Sequence, residues 1–261
     1  MRLGKAESSA LHKGYCCLIR CLVQQRLQVI MISRPNSFTG GALITVAKRP
    51  TPGETKTRLS PPLSAEQAAA LYECFILDAI ELMRQVPDVQ HGLAYFPKSE
   101  RGFFYDLAPD FELAAQIGAD LGERLDNIVK SYIERGYQKV VLVDSDSPNL
   151  PAAYVRSAFE GFTAEIDVML GPCDDGGYYL IGLKRPASRL LREVQMSTPR
   201  VTADTLALAA EEGLRVHLLP AWYDVDDKAG LSRLRNDLAL QPPEIAPHSR
   251  RFLTANRLLG N

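Results

Sequence analysis

The chain has 261 residues, of which 46% are hydrophobic and 23% are charged, a composition that is ordinary for a globular protein. This composition excludes a disordered, collagenous or coiled-coil protein. The 30 basic and 31 acidic side chains nearly cancel, which argues against a dedicated nucleic-acid-binding protein. Residues 1–41 carry six Lys or Arg side chains and one acidic side chain, so the rest of the chain is mildly acidic.

The cysteines and the longest apolar stretch indicate the cellular compartment. Cys16, Cys17 and Cys21 lie close together, but no CxxC pair occurs and His12 is their one nearby histidine, so we expect no zinc site. An odd total of five cysteines is typical of a reducing, cytoplasmic location. Charged and amide side chains interrupt the apolar residues 15–32, so we expect neither a membrane span nor a signal peptide.

Hydrophobic patterning predicts three regions along the chain. They are a poorly ordered basic extension over residues 1–41, an α/β domain over residues 42–240, and a Pro-rich linker with a C-terminal helix over residues 241–261. The predicted strands are 42–47, 91–96, 139–143, 166–170, 178–183 and 214–219. The predicted helices are 64–86, which opens with a capping box at Ser64–Gln67, then 120–135, 151–162, 201–212 and a helix that ends near residue 240.

This alternation of strands and helices predicts a mainly parallel sheet with helices on both faces. Ligands of such sheets bind at the carboxyl ends of the strands. The polar segments that follow residues 47, 143 and 170 are therefore the places to look for a functional site.

The first of these segments, residues 48–58, is rich in cations. Lys48, Lys56 and Arg58 surround a turn at Gly53, and cationic donors beside a tight turn suit a diphosphate. The segment is not a Walker P-loop, because the glycine that precedes the lysine of that motif is missing. A solvated basic loop is the alternative interpretation.

Acidic residues dominate the other segments. Asp144 and Asp146 follow the most apolar strand, where carboxylates suit Mg²⁺ or Mn²⁺, although an aspartate there could instead cap the next helix. Asp174 and Asp175 precede two glycines, and either one could act as a base or simply form a turn. Asp226 follows the last predicted strand and could complete a metal site.

A less distinctive stretch covers residues 116–124. Gln116, Asp120 and Arg124 lie near glycines there and could bind a nucleobase or a sugar. They could equally mark the start of a helix.

Six ordered blocks lie within residues 42–240, and their residues are KxPxPGxxKTRL at 48–59, DLGER at 120–124, SDSPxLP at 145–151, GPxDDGGYYL at 171–180, STPR at 197–200 and DVD at 224–226. Together they resemble a bacterial family of nucleotide-diphospho-sugar transferase-like proteins, often labelled glycosyltransferases and in part associated with arsenosugar biosynthesis. The resemblance implies a GT-A fold, which is a single Rossmann-like α/β domain that binds a nucleotide sugar with a divalent metal.

The resemblance also implies roles for individual residues. Lys48, Lys56 and Arg58 fall in the nucleotide-phosphate loop, as Gly53 does, and Asp120 and Arg124 fall in a second matching block that we assign to nucleotide binding. Asp146 matches a metal ligand and Asp226 falls in the late acidic block. Asp144 stands where relatives have glycine, so the family does not support Asp144 as a ligand. Asp175 falls in the block on the acceptor side.

The sequence thus predicts a metal-dependent glycosyltransferase that uses a nucleotide sugar and a small acceptor, with no nucleic-acid or membrane partner. Two alternatives remain open. One is a nucleotidylyltransferase that joins a nucleoside triphosphate to a phosphorylated acceptor, and the other is a non-catalytic nucleotide-binding protein.

Overall fold

The computed structural model describes residues 40–258. Nearly all of the predicted basic extension therefore lies outside the described residues, as do Cys16, Cys17 and Cys21. None of the helices within residues 40–258 combines the length and the apolar character needed to cross a lipid bilayer.

The described residues form one seven-stranded sheet with helices between the strands. The strands are β1 (Gly41–Lys48), β2 (Gln90–Phe96), β3 (Glu112–Ala115), β4 (Lys139–Val143), β5 (Val168–Pro172), β6 (Tyr178–Leu183) and β7 (Val216–Leu218). The α-helices are α1 (Ala65–Met83), α2 (Arg101–Leu107), α3 (Leu121–Glu134), α4 (Ala152–Glu160), α5 (Ser188–Arg192), α6 (Val201–Glu211), α7 (Lys228–Leu240) and α8 (Pro247–Ala255).

The sheet order is β3-β2-β1-β4-β6-β5-β7, and β6 is the strand that runs antiparallel to its neighbours. Strands β1, β2, β3 and β4 pair in parallel, and β7 pairs in parallel with β5. Because β6 reverses direction between β4 and β5, these two strands point the same way. The segments that follow β1, β4, β5 and β7 therefore meet at one edge of the sheet, as the sequence predicts.

Both faces of the sheet are buried. On one face Ile44, Leu142 and Ile181 pack in a cluster with residues of α3, α5 and α6. The alternate residues of the strands point to the other face, where Leu43 and Met169 are fully buried as well. A strand that is buried on both faces reads as a continuous apolar run, which explains the patterns of β1 and β4.

Hydrophobic periodicity does not predict three of the short elements, and one strand is shifted along the sequence from its predicted position. Helix α2 lies between residues 96 and 120, where no element is predicted, and β3 and α5 have four and five residues, too few for a period to emerge. Strand β5 begins at Val168 rather than at residue 166 and continues through Pro172, with an irregular register at Gly171 and Pro172. The capping box is confirmed, because the Ser64 hydroxyl accepts from Gln67 N at 3.2 Å.

The C-terminal helix is anchored to α1 rather than separated from the domain by its Pro-rich linker. Asp78, which is 2% exposed in α1, accepts hydrogen bonds from His248 N at 2.8 Å and from Ser249 N at 2.9 Å. The Ser249 hydroxyl also donates to Asp78 at 2.5 Å. These backbone amides belong to the first turn of α8, whose own N-cap residue, Ala246, has no side chain that could accept them.

Candidate functional site

The carboxyl end of β4 is fixed by hydrogen bonds to its neighbours. Ser145 donates to Val46 O at 2.9 Å, and Thr45 donates to Asp144 O at 3.3 Å. Asp144 N in turn donates to Tyr179 O at 2.9 Å. The chain therefore leaves β4 in a defined direction, and Asp144 and Asp146 are held at the edge of the sheet.

Lys56 joins the first loop to two of the predicted acidic segments. Its ammonium donates to Asp226 Oδ1 at 2.5 Å and lies 2.7 Å from Asp146 Oδ1. The side chain is only 6% exposed, and its Nζ lies 5.4 Å from the ring centre of Tyr72. The backbone at Lys56 is left-handed, with φ of 51°, and this conformation turns the loop toward the sheet edge.

The electrostatics of Lys56 follow from these contacts. Burial opposes the charged form, but Asp146 and Asp226 outweigh burial and raise the pKa of Lys56 above its ordinary value. Burial likewise opposes ionisation of Asp226, yet Lys56 holds the pKa of this carboxyl below its ordinary value. The Lys56–Asp226 pair is therefore charged near neutral pH.

Two more aspartates, Asp144 and Asp224, interact electrostatically with Lys56. Burial, followed by the charge of Asp146, raises the pKa of Asp144, whose carboxylate accepts from the Ser147 hydroxyl at 3.1 Å. Burial, followed by Asp226 and Asp175, raises the pKa of Asp224 to about 6. The cluster thus favours cations and disfavours the ionisation of its own most buried members.

The late acidic segment is attached to the end of β4 through the backbone, because Val225 N donates to Asp146 O at 2.9 Å. This bond places Asp224 and Asp226 beside Asp146. Asp227, the next acid, accepts from Ala229 N and Gly230 N and so serves as the N-cap of α7.

Asp174 and Asp175, which the sequence does not distinguish, have different surroundings. Asp174 forms an ion pair with Arg233. Asp175 Oδ1 accepts from Gly177 N at 2.8 Å, and the carboxylate interacts electrostatically with Asp224. Gly176 has φ of +93°, and a Cβ there would lie 2.0 Å from Pro199 O, so the turn requires glycine. Of the two, Asp175 is therefore the one that interacts electrostatically with the acidic cluster.

The residues of the less distinctive stretch have structural partners. Gln116 donates its side-chain amide to Ala47 O at 3.1 Å and to Ala94 O at 2.8 Å, and so joins the ends of β1 and β2. Asp120 is the N-cap of α3, accepting from Glu123 N at 2.8 Å. Asp120 therefore marks the start of a helix, which was the alternative interpretation of this stretch. The Arg124 guanidinium lies 4.8 Å from the Phe96 ring centre.

The other predicted nucleotide-binding residues lie on the exposed side of the first loop. Lys48 has an exposed side chain, and Gly53 has φ of +78° with open space around it. The side chain of Arg58 is 70% exposed and forms an ion pair with Asp227 at 3.2 Å. An open depression of about 670 Å³ lies here, and its lining residues are Arg58, Asp227, Lys228, Ala229 and Ser232.

The predicted metal site is not assembled in this structure. Within residues 40–258, no three carboxylate, imidazole or thiol groups are arranged to hold a metal ion. Two of the three predicted ligands, Asp146 and Asp226, are paired with Lys56, while Asp144 accepts hydrogen bonds from its own segment. The donor set in this arrangement does not fit a divalent ion.

Tyr72 is a site residue that the sequence analysis missed. Its hydroxyl accepts from Lys48 N at 3.1 Å and lies 3.0 Å from the Ser145 hydroxyl. Burial and the charge of Asp146 raise the pKa of Tyr72 to about 12, so the phenol stays protonated. The available signal is a tyrosine among the apolar residues of a helix, since a buried hydroxyl needs a partner.

Comparisons with known proteins agree with this fold. Residues 79–198 match a family model described as "Uncharacterized protein conserved in bacteria (DUF2064)". A crystal structure from Desulfovibrio desulfuricans G20, provisionally described as a nucleotide-diphospho-sugar transferase, is 29% identical to this chain with a TM-score of 0.77. That similarity covers 84% of this chain and 96% of the other chain.

A second solved structure is a CMP:2-keto-3-deoxy-manno-octonic acid synthetase complexed with CTP, which is 13% identical to this chain with a TM-score of 0.50. The similarity covers 77% of this chain and 98% of the other chain, and it is a similarity of fold alone. No curated protein matches the chain in sequence. The predicted fold class and the predicted resemblance to nucleotide-diphospho-sugar transferase-like proteins are confirmed.

Proposed function

We propose that this protein is a glycosyltransferase that moves a sugar from a nucleoside diphosphate sugar to the hydroxyl of a small acceptor. The observation that carries the proposal is the convergence of the cationic first loop, the end of β4 and the late acidic segment on Lys56. The relative from Desulfovibrio desulfuricans supports the choice of donor class. A site of this kind at the carboxyl edge of the sheet is where such folds bind ligands.

The diphosphate of the donor would bind the exposed side of the first loop. Arg58 and Lys228 line the depression there and supply positive charge. These cations would stabilise the charge that develops on the departing diphosphate. Arg124 Nε is buried without a hydrogen-bond partner among the described residues, which leaves it available to the nucleotide.

Asp175 would act as the general base for the acceptor hydroxyl. In the proposed reaction the acceptor oxygen bonds to the anomeric carbon, the bond from that carbon to the diphosphate breaks, and the acceptor proton passes to the Asp175 carboxylate. Asp174 is less suited to this role because it is paired with Arg233. No step is assigned to a metal ion, because the carboxylates predicted to hold it are paired with Lys56.

Nucleotidyl transfer is the second candidate, and the CTP complex of the more distant structure favours it. The two reactions release different products. The full chain would be incubated with a panel of small acceptors, hydroxylated and phosphorylated, each in the presence of nucleotide sugars or of nucleoside triphosphates, with Mn²⁺ and without it. Release of a nucleoside diphosphate from a nucleotide sugar supports glycosyl transfer, whereas release of pyrophosphate from a triphosphate supports the second candidate. Binding without either product contradicts both and indicates a non-catalytic protein.

Arg58→Ala is expected to weaken binding of nucleoside diphosphates by about tenfold or more, since a hydrogen bond to a charged group contributes roughly 1.5–3 kcal/mol. Nucleosides without phosphate should bind the variant as they bind the wild type. The Arg58–Asp227 ion pair is exposed, so its loss should cost less than about 1 kcal/mol of stability. Calorimetric titration with matched nucleoside and diphosphate measures the difference.

Arg215→Ala is the control for this experiment. Arg215 is also exposed and paired with an aspartate, Asp167, but it precedes β7 and so lies at the opposite edge of the sheet. It should leave both affinities unchanged. Equal weakening of nucleoside and diphosphate by Arg58→Ala would show that Arg58 does not contact phosphate.

A further inference from the structure

The ammonium of Lys56 lies where a metal ion that bridged Asp146 Oδ1 and Asp226 Oδ1 would lie. It contacts one oxygen of Asp146 and one oxygen of Asp226, at 2.7 and 2.5 Å. A Mg²⁺ ion that bridged these two oxygens would lie about 2.0–2.1 Å from each of them. Two cations cannot both occupy the space between these two atoms.

The position of Lys56 is fixed by its surroundings rather than by the ion pairs alone. Its side chain is almost fully buried, with the ring centres of Tyr72 and Phe75 at 5.4 and 5.8 Å from Nζ. The preceding turn is closed by a hydrogen bond of 3.0 Å from Thr51 N to the hydroxyl of Thr55, which is itself buried. A structured loop therefore holds Lys56 next to the two carboxylates.

We infer that Lys56 is a built-in cation that competes with divalent metal ions for Asp146 and Asp226. A divalent ion binds both carboxylates only when the Lys56 ammonium leaves them. Without nucleotide, metal binding has to displace a buried ammonium from two half-buried carboxylates, and the affinity of the free protein for metal is correspondingly low.

The location of Lys56 in the first loop adds a second consequence, which rests on the proposed function. If a diphosphate binds this loop, its negative charge offers Lys56 an alternative partner and releases the two carboxylates. Nucleotide would then raise the affinity for metal, and metal would raise the affinity for nucleotide by the same factor. Removal of Lys56 should reduce this coupling, because the carboxylates are already free.

The competition is tested on the nucleotide-free full chain by titration with Mn²⁺, with free Mn²⁺ measured by electron paramagnetic resonance. Lys56→Met, which keeps the length of the side chain without its charge, should bind Mn²⁺ at least about tenfold more tightly than the wild type, because a charge directly at the site is removed. Lys184→Met is the control, since the Lys184 amine donates to Thr163 O and follows β6 at the opposite edge of the sheet. It should leave the affinity unchanged.

Thermal unfolding provides a second readout, because the two carboxylates repel each other once Lys56 is removed. Mn²⁺ should raise the melting temperature of Lys56→Met more than that of the wild type. If Lys56→Met folds poorly, Lys56→Gln, which retains a hydrogen-bond donor, replaces it. Mn²⁺ should also raise the melting temperature of Lys56→Gln more than that of the wild type. The double variant Lys56→Met/Asp146→Asn should lose the gain in affinity.

Two results would overturn the inference. One is an Mn²⁺ affinity in both Lys56 variants that is no higher than in the wild type, and the other is a gain that persists in the double variant, because the ion then binds elsewhere. The proposed function fails separately. A gain in Mn²⁺ affinity without any nucleotide binding by the wild type contradicts only the proposed function, and turnover without the gain contradicts only the competition.

Discussion

Asp175→Asn is expected to reduce the turnover of the proposed glycosyl transfer by about 100-fold or more, the usual contribution of a general base. Asparagine has the shape of aspartate but cannot accept the acceptor proton. Its Oδ1 can still accept from Gly177 N, so the turn and the fold should remain intact. Donor binding should change little, because Arg58 and Lys228, the cations proposed to bind the diphosphate, lie on other segments. Steady-state kinetics with a donor and acceptor that turn over measure the loss.

Asp174→Asn is the matched control, since it makes the same chemical change one residue away. Both side chains of the Asp174–Arg233 ion pair are about half exposed, so the loss of the pair should cost little stability. Turnover by this variant should stay close to that of the wild type. If the two variants lose equal activity, or if Asp174→Asn loses more, Asp175 is not the base.

Asp78→Ala is expected to lower the free energy of unfolding by about 3 kcal/mol, because buried donors lose their acceptor. The affected donors are the backbone amides of His248 and Ser249 and the Ser249 hydroxyl. Ser249→Ala removes one of the three and should cost about 1 kcal/mol. Urea denaturation measures both variants. A cost below about 0.5 kcal/mol for Asp78→Ala would contradict the capping role.

The cost of Asp78→Ala should also depend on pH. Burial raises the pKa of Asp78 from 3.8 to about 7 in the folded protein, although the hydrogen bonds oppose this shift. Between about pH 4 and 7 the folded state therefore holds a proton that the unfolded state has released, and the stability contributed by Asp78 falls as pH rises. The variant lacks this contribution, so its cost should be larger at pH 5 than at pH 8.

The same measurement separates Asp78 from a neighbouring group with the opposite trend. Burial lowers the pKa of His248 to about 4, so its contribution to stability falls as pH decreases below about 6.5. His248 is retained in Asp78→Ala, so its contribution largely cancels when variant and wild type are compared at each pH. A cost that is the same at pH 5 and pH 8 would show that Asp78 is ionised in both conditions.

The sequence predicted the elements that form the buried sheet, because their apolar runs are long and bounded by polar segments. β4 and β6 occur at the predicted residues, and β1 differs from the prediction by one residue at each end. The short elements could not be predicted this way. β3 has the sequence ELAA, which lacks β-branched residues, and its position is set by pairing with β2.

The site was predicted as a set of segments but not as a set of contacts. The edge on which Lys56, Asp146 and Asp226 meet follows from strand direction, which the alternation of elements indicates. The pairing of Lys56 with both aspartates depends on a left-handed backbone at residue 56 and on the packing of its side chain beside the α1 rings of Tyr72 and Phe75. Linear spacing carries no information about either, so the same residues were assigned separately to phosphate and to metal.

The two borders of the sheet affect the tendency of the protein to aggregate. An exposed strand edge can pair with the backbone of another molecule, and long, flat edges do so most readily. Here the outermost strands are β3 and β7, with four and three residues, and the longer strands lie between them. Glu112 on β3 is also held by Arg135. Among residues 40–258, each border therefore offers a second molecule only a short row of backbone hydrogen-bonding groups, which disfavours growth of the sheet into fibrils.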